Sequence, residues 1–87
     1  MLDDIIFIDN LPTLDLHGFD RDSARVATND FVRDNFKMHN MFIVVIHGQG
    51  SHIVRNEVHR TLKNNNYVDA FKLYNYNTGC TIIKLNL

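Results

Sequence analysis

Two short segments carry the residues whose types and spacing could do chemistry. The first is His47-Gly48-Gln49-Gly50-Ser51, which follows an apolar stretch and precedes a helical pattern. Glycines let a backbone approach a ligand closely, and the free N–H groups at the start of a helix attract anions. The segment therefore predicts a phosphate-binding turn, although an ordinary tight strand-to-helix turn fits the pattern as well. It is not a P-loop, because no Gly-Lys-Ser or Gly-Lys-Thr follows.

The second segment is Asp15-Leu16-His17. Residues two apart in a strand share a face, so Asp15 and His17 are predicted to point the same way. A carboxylate beside an imidazole sets its tautomer and raises its pKa, which suits His17 for proton transfer during attack on a phosphodiester. The alternative is that Asp15 caps a loop and His17 packs beneath it.

A polar stripe follows the glycine turn on the next predicted helix. Its members are three or four residues apart, so they share one face, which could follow a nucleic-acid backbone or could simply be solvated. A cation in the first helical turn opposes the helix dipole, which indicates another use such as holding an anion. The stripe consists of His52, Arg55, His59 and Lys63.

Composition narrows the class of protein. The 87 residues, 45% of them apolar, suffice for one soluble domain with one core. The only cysteine, Cys80, excludes an internal disulfide framework and favours a reducing, cytoplasmic location. The longest apolar run, Met41–Ile46, is far short of the roughly 20 residues of a membrane span. The acidic N-terminus lacks the basic start of an export signal.

Charge is distributed unevenly along the chain. The net charge of −1 argues against a strongly basic nucleic-acid binder. However, residues 1–20 hold five acids and no Lys or Arg, whereas residues 21–87 hold nine Lys and Arg against five acids. The body of the chain therefore has an excess of positive charge, which permits a polyanionic partner.

The elements that must position these segments follow from hydrophobic periodicity. Residues 1–12 are predicted to form an arm or edge strand, separated by Pro12 from a domain at 13–87. The first helix is expected to turn Ala24, Ala27, Phe31 and Met38 inward. The predicted elements are strands at 13–17, 41–46, 68–74 and 80–85, helices at about 20–38 and 51–63, and a turn at 76–79.

This order, βαβαββ, predicts an α/β fold with a mixed sheet of about four strands and two helices. Each βαβ unit predicts parallel neighbouring strands. Ligands bind beyond the carboxyl ends of parallel strands, where both His-Gly turns fall. We therefore expect His17 and His47 to share one pocket.

Metal binding is a weaker expectation. None of the five histidines stands in His-x-x-x-His or Cys-x-x-Cys spacing, so no structural zinc site is expected. Asp15 is the only obvious carboxylate at the predicted rim, which leaves at most a loosely held Mg²⁺ or Mn²⁺.

Three segments together resemble the Smr (small MutS-related) domain family. They are residues 14–18, 47–55 and 79–85, and their order and spacing match the family over 14–85. The resemblance implies a two-layer α/β sandwich similar to the C-terminal domain of translation initiation factor three. Family members are linked to DNA nicking and to endonucleolytic RNA cleavage, including on ribosome-associated messages.

The resemblance also implies roles for particular residues. Asp15 and His17 would carry the catalytic or substrate-contacting motif, and Arg55 would contact phosphate. His47, Gly48 and Gly50 would form the turn. The family pattern is His-Gly-x-Gly-x-Gly-x-Leu-Arg. In this chain His52 stands in place of the third glycine and Val54 in place of the leucine. A later Gly-Gly pair of the family is replaced here by Tyr76-Asn77.

Two functions follow from these residues. One is an endonuclease. On RNA, His17 or His47 would take the 2′-hydroxyl proton, while the Gly48 and Gly50 amides and Arg55 stabilise the phosphorane. On DNA, water would attack with help from a divalent ion, and the thin ligand set favours RNA slightly. The other function is a catalytically weak or inactive module that binds nucleic acid or a protein at the same rim.

One further partner is suggested by the apolar segment Ile5–Ile8. It predicts either a homodimer formed by edge-strand pairing through the arm or a strand added to its own sheet. A membrane partner is not expected.

Overall fold

Four strands and two helices follow one another in the order βαβαββ in the computed structural model, which describes residues 8–50 and 52–87. The predicted α/β class and element order are confirmed. The elements are β1 (Thr13–Asp15), α1 (Arg21–Lys37), β2 (Phe42–Ile46), α2 (His52–Lys63), β3 (Val68–Tyr74) and β4 (Asn77–Leu85).

The strands form one mixed sheet in the order β1-β2-β4-β3. β1 and β2 are parallel neighbours, as predicted for the first βαβ unit. The same prediction for β2 and β3 is wrong, because β4 lies between them and pairs antiparallel with both. Residues 79–83 of β4 are all buried, whereas β3 has several exposed positions. The more apolar strand therefore occupies the centre of the sheet and the more polar one its edge.

Side chains of the two central strands alternate between two buried layers. Ile43 and Val45 face the helices together with Ile83 and Leu85 of β4. Residues 83 and 85 therefore face the helices, and Ile82 belongs to the opposite layer. The opposite layer contains Val44, Ile46, Tyr74, Cys80 and Ile82, covered by Ile8 and Leu11.

The first helix is defined at both ends by its caps. Asp20 accepts a hydrogen bond from the Ser23 amide at 2.7 Å, and His39 leaves the helix with a φ of 61°. Ala24 and Val32 are fully buried, but Met38, predicted to face inward, is 67% exposed. It is the C-cap residue, so the helical stripe no longer positions it.

Two predicted strand limits are wrong. β1 ends at Asp15 rather than residue 17, because residues 16–19 form a turn. In that turn the Phe19 amide donates to the Leu16 carbonyl at 3.0 Å, and Gly18 has a φ of +82°. β4 begins at Asn77 rather than residue 80, because the turn predicted at 76–79 lies instead at residues 75–76, which alone link β3 to β4.

The predicted edge-strand segment falls mostly on Ile5, Ile6 and Phe7, which lie outside the described residues. Over the described part of the chain, neither helix has the length and apolar character needed to cross a membrane.

Candidate nucleic-acid interface

The two His-Gly turns begin at the same edge of the sheet. Asp15, the last residue of β1, pairs with Ile46, the last residue of β2. The Leu16 amide continues the pairing by donating to the Ile46 carbonyl at 2.8 Å. The prediction that both turns follow the carboxyl ends of adjacent parallel strands is therefore confirmed.

The side chains at these two strand ends leave on different faces. Asp15 pairs with Ile46, which in turn pairs with Cys80, and these partners belong to the layer away from the helices. Burial raises the pKa of the Cys80 thiol, and the nearby Asp15 carboxylate raises it further. His47, one residue beyond Ile46, lies on the helix side by strand alternation. The Asp15 carboxylate and the His47 imidazole therefore lie on opposite faces of the sheet.

His17 is an exposed turn residue, so the prediction that strand geometry pairs its ring with Asp15 is wrong. The Asp15 carboxylate instead accepts the His17 backbone amide at 2.9 Å, as the loop-capping alternative predicted. The ring is not packed beneath the loop as that alternative also required. Among the residues described, no hydrogen bond or ring contact joins His17 to His47, and their common pocket stays a prediction.

His47 is almost fully enclosed, at 7% exposure, and both of its ring nitrogens have partners. Nδ1 lies 3.1 Å from the Gly48 carbonyl oxygen, and Nε2 lies 2.8 Å from the Thr81 hydroxyl. Burial lowers the pKa of His47, with a smaller lowering from Arg55 and an opposing effect of the Gly48 hydrogen bond. His47 is therefore a neutral, fully engaged imidazole at pH 7.

His59 turns inward from the predicted polar stripe and meets the same hydroxyl. Its Nε2 lies 2.8 Å from Thr81 Oγ1, and its ring packs edge-on against His47 and at a tilt of 48° against Phe71. The pKa of His59 is lowered to about 4, first by burial and then by the charges of His47, Arg55 and Lys63. Arg55 and Lys63 thus lie close enough to His59 to form one basic face of α2, as the helical spacing predicted.

The start of β4 braces the glycine turn. The Gly79 carbonyl accepts the amides of His47 and Gly48 at 2.9 and 3.0 Å. Asn77 Oδ1 accepts the Gln49 side-chain amide and the Gly79 amide, both at 2.9 Å. A Cβ on Gly79 would lie 3.0 Å from Gln49 Cγ, so glycine permits this close approach. The predicted phosphate donor Gly48 N–H is therefore already engaged.

Sequence reasoning missed three residues of this arrangement: Asn77, Gly79 and Thr81. They stand two apart in β4 and share the side of the strand that meets the turn. Their period-two spacing was visible, but only the β2–β4 register shows that they face residues 47–49.

The remaining predicted phosphate contacts lie before α2 and along its length. Gly50 and His52 are exposed on either side of Ser51, which falls outside the described residues. Arg55 is half-buried one turn further on, and Lys63 is exposed near the end of the helix.

The donor set does not fit a divalent metal ion. Within residues 8–50 and 52–87, no three His, Cys, Asp or Glu side chains come together closely enough to hold one. The Asp15 carboxylate is committed to the His17 amide, and hard cations such as Mg²⁺ need several oxygen ligands.

A glycine turn that opens onto the basic face of a helix, at the carboxyl edge of an α/β sheet, defines a small domain suited to meeting an anion. The chain belongs to the Smr domain family, whose family model matches residues 14–86. It is 30% identical over 76 residues to a protein named endonuclease MutS2 from Clostridium acetobutylicum, and 30% identical over 78 residues to its namesake from Caldanaerobacter subterraneus. These matches cover 84% and 86% of the chain but only 10% of each relative.

Two solved structures share the fold. The Smr domain of Thermus thermophilus MutS2 superposes with a TM-score of 0.86 at 18% identity, covering 88% of this chain and 100% of that one. The stand-alone small MutS-related protein YdaL from Escherichia coli superposes with a TM-score of 0.81 at 24% identity, covering 86% and 64%. These likenesses confirm the predicted two-layer α/β architecture.

Proposed function

We propose that this chain is an endonuclease of the Smr type that binds a nucleic-acid backbone at the phosphate turn (residues 47–50) and the basic face of α2 (Arg55, His59, Lys63). One observation carries the proposal. Arg55 and Lys63 each stand four residues from His59 on α2, directly beyond the glycine turn, and their charges add to burial and to His47 in lowering the pKa of His59 to about 4. Positive charge concentrated at one place without a matching carboxylate favours a phosphate ligand.

The distribution of ion pairs on the two helices supports a ligand-binding role for the basic face. Arg25, Arg33 and Arg60 each form an ion pair with an acid on their own helix. Arg55 and Lys63 have no such ion pair in the described part of the chain. Cations that are not neutralised by the protein are the ones available to a polyanion.

Cleavage is assigned to His17 rather than to His47. Both nitrogens of His47 are engaged, whereas the exposed His17 ring lies beyond the strand end that neighbours the phosphate turn. On RNA, His17 would accept the 2′-hydroxyl proton as the 2′-oxygen attacks phosphorus. The bond to the 5′-oxygen then breaks, leaving a 2′,3′-cyclic phosphate, and the departing 5′-oxygen takes a proton from solvent water to become a hydroxyl. Arg55 would stabilise the charge on the phosphorane.

RNA is the proposed substrate because its own 2′-hydroxyl serves as the nucleophile. DNA lacks this group, so water must attack and a divalent ion is the usual aid. The residues at the rim do not offer such an ion a coordination set, as described above. The name endonuclease MutS2 carried by the relatives is consistent with cleavage of either nucleic acid.

A binding-only module is the second candidate, favoured by the capping of Asp15. A carboxylate that accepts the His17 amide and lies on the face opposite His47 does not orient the His17 ring. A domain with the phosphate turn but without an oriented base would bind nucleic acid, or an acidic protein surface, without cutting.

Incubation with end-labelled single-stranded RNA and with supercoiled plasmid, each with and without EDTA, separates these functions. Wild-type protein is compared with His17→Ala and with His39→Asn, a control at an exposed histidine whose positive φ asparagine tolerates. The proposal expects EDTA-insensitive RNA cleavage that His17→Ala abolishes and His39→Asn preserves. RNA binding without cleavage establishes the module, and cleavage unaffected by His17→Ala contradicts the endonuclease assignment.

A further inference from the structure

Hydrogen bonds join His59, Thr81, His47 and the Gly48 carbonyl in one row, and the partners of His47 determine which atom of each hydrogen bond carries the proton. The Gly48 carbonyl can only accept a hydrogen bond, so His47 Nδ1 must carry the proton of that contact. A neutral His47 then has a lone pair on Nε2, and the Thr81 hydroxyl must donate to it. The single hydroxyl proton is thereby used, so His59 Nε2–H must donate to Thr81 Oγ1.

The lowered pKa values of both histidines agree with this assignment. Burial is the first cause for each ring, so both are neutral at pH 7. With both rings neutral, the hydroxyl must serve one ring as donor and the other as acceptor. The row therefore runs in one direction, from His59 through Thr81 and His47 to the Gly48 carbonyl.

This row orients a backbone amide. The Gly48 carbonyl and the Gln49 N–H belong to the same trans peptide, in which the two groups point in opposite directions. Holding the carbonyl against the His47 ring therefore turns the Gln49 N–H away from that ring. The same contact withdraws the negative end of the carbonyl dipole from an approaching anion. Gly48 allows this arrangement because its φ is +88°.

We propose that Thr81 is a positioning residue for anion binding, because its hydroxyl donates to His47 Nε2, holds the ring with its Nδ1–H against the Gly48 carbonyl and thereby presents the Gln49 amide to a phosphate. The inference rests on the proposed function, in which the phosphate turn receives a nucleic-acid backbone. Thr81 itself is fully buried at 0% exposure and acts only through His47. The amide of Gln49 replaces that of Gly48, which the Gly79 carbonyl occupies, as the donor at the turn.

Imidazole ¹⁵N NMR at pH 7 tests the tautomers without any nucleic acid. The wild type is expected to show His47 protonated at Nδ1 and His59 at Nε2. Thr81→Ser should retain both states and the wild-type resonance positions, because serine restores the hydroxyl. Thr81→Val should shift the His47 Nε2 resonance, because the lone pair on Nε2 loses its hydrogen-bond donor. Thr78→Val, an exposed position of the same strand, should change neither the tautomers nor this resonance. A wild-type His47 protonated at Nε2, or an unchanged His47 Nε2 resonance in Thr81→Val, would overturn the inference.

Titration with a short single-stranded RNA then tests the positioning role through the Gln49 amide shift. Thr81→Val should weaken binding about tenfold while Thr81→Ser binds like wild type, with circular dichroism showing that both remain folded. Equal affinity of Thr81→Val and wild type contradicts the positioning role even if the RNA is bound and cleaved. If the tautomers are as described and the wild type leaves the Gln49 amide unshifted, both the anion role and the proposed function fail.

Discussion

Two neighbouring strands of this molecule are each followed by the dipeptide His-Gly, yet the two histidines have opposite environments. His17 is exposed in a turn at the end of the edge strand β1, whereas His47 is enclosed at the end of the central strand β2. β2 has β4 on its other side, and β4 supplies the Gly79 carbonyl and the Thr81 hydroxyl to the turn. Position in the sheet, rather than local sequence, therefore decides which histidine is braced and which is free.

The two environments suit the two histidines to different roles. A buried imidazole with two hydrogen-bonding partners holds backbone in place, and an exposed one can exchange protons with a ligand. In the proposed function, His47 therefore maintains the shape of the phosphate turn and His17 is the candidate general base. The predictions below separate these roles by measuring activity and stability for the same substitutions.

The largest expected effect is loss of cleavage in His17→Ala. Removing a general base slows the reaction about a hundredfold or more, and an exposed turn residue contributes little to stability. RNA cleavage should therefore fall at least that far while the melting temperature stays within a degree or two of wild type. Normal cleavage by the variant would show that His17 is not the general base.

The converse is expected for His47→Ala. The substitution removes the acceptor of the Thr81 hydroxyl proton and the donor to the Gly48 carbonyl, and it opens a cavity beneath α2. We expect a loss of about 2 kcal/mol in the free energy of unfolding, measured by urea denaturation. The matched variant His17→Ala should lose less than about 0.5 kcal/mol. Equal losses would remove the distinction between the two turns.

Arg55→Gln tests the ligand shared by the two turns. Loss of one phosphate contact should weaken RNA binding about tenfold and reduce the slope of log affinity against log salt by about one. Arg33→Gln is the matched control, because Arg33 pairs with Asp30 and Asp34 on α1. A larger effect of the control would place the interface on α1 instead.

The smallest expected effect is a pH dependence of stability that comes from His59. Its pKa is about 4 in the folded protein against an ordinary 6.5, so the unfolded chain takes up a proton first as the pH falls. The stabilisation is complete above pH 6.5 and is lost progressively down to about pH 4. Since the ring is only half-buried, we expect about 1 kcal/mol. The difference between wild type and His59→Gln across this range measures it, and a difference independent of pH contradicts the shift.

The sequence predicted the fold further than it predicted the contacts of the site. Hydrophobic periodicity located all six elements, because the helical stripes and the two-faced strand at Phe42–Ile46 are governed by burial. The insertion of β4 between β2 and β3 was not predicted. Strands that are apolar on both faces pair equally well with several neighbours, so their pattern does not specify an order or a register.

The sequence predicted where the residues of the candidate site lie but not the hydrogen bonds that join them. The sequence placed the glycine turn beyond the carboxyl end of a parallel strand and Arg55, His59 and Lys63 on one face of α2, and the structure has them there, while their role as a binding site stays a prediction. The roles of Thr81, Asn77 and Gly79 depend on the pairing of Ile46 with Cys80, which lies 34 residues further along the chain. No local pattern carries that information.

The central claim is that the phosphate turn and the start of α2 receive a nucleic-acid backbone. Backbone amide shifts recorded during titration with a short single-stranded RNA test it directly. The account predicts the largest shifts at Gln49 and Gly50 and in the first turn of α2, decreasing with added salt. Shifts confined to the outer face of α1, or to the sheet face that Ile8 and Leu11 cover, would contradict it.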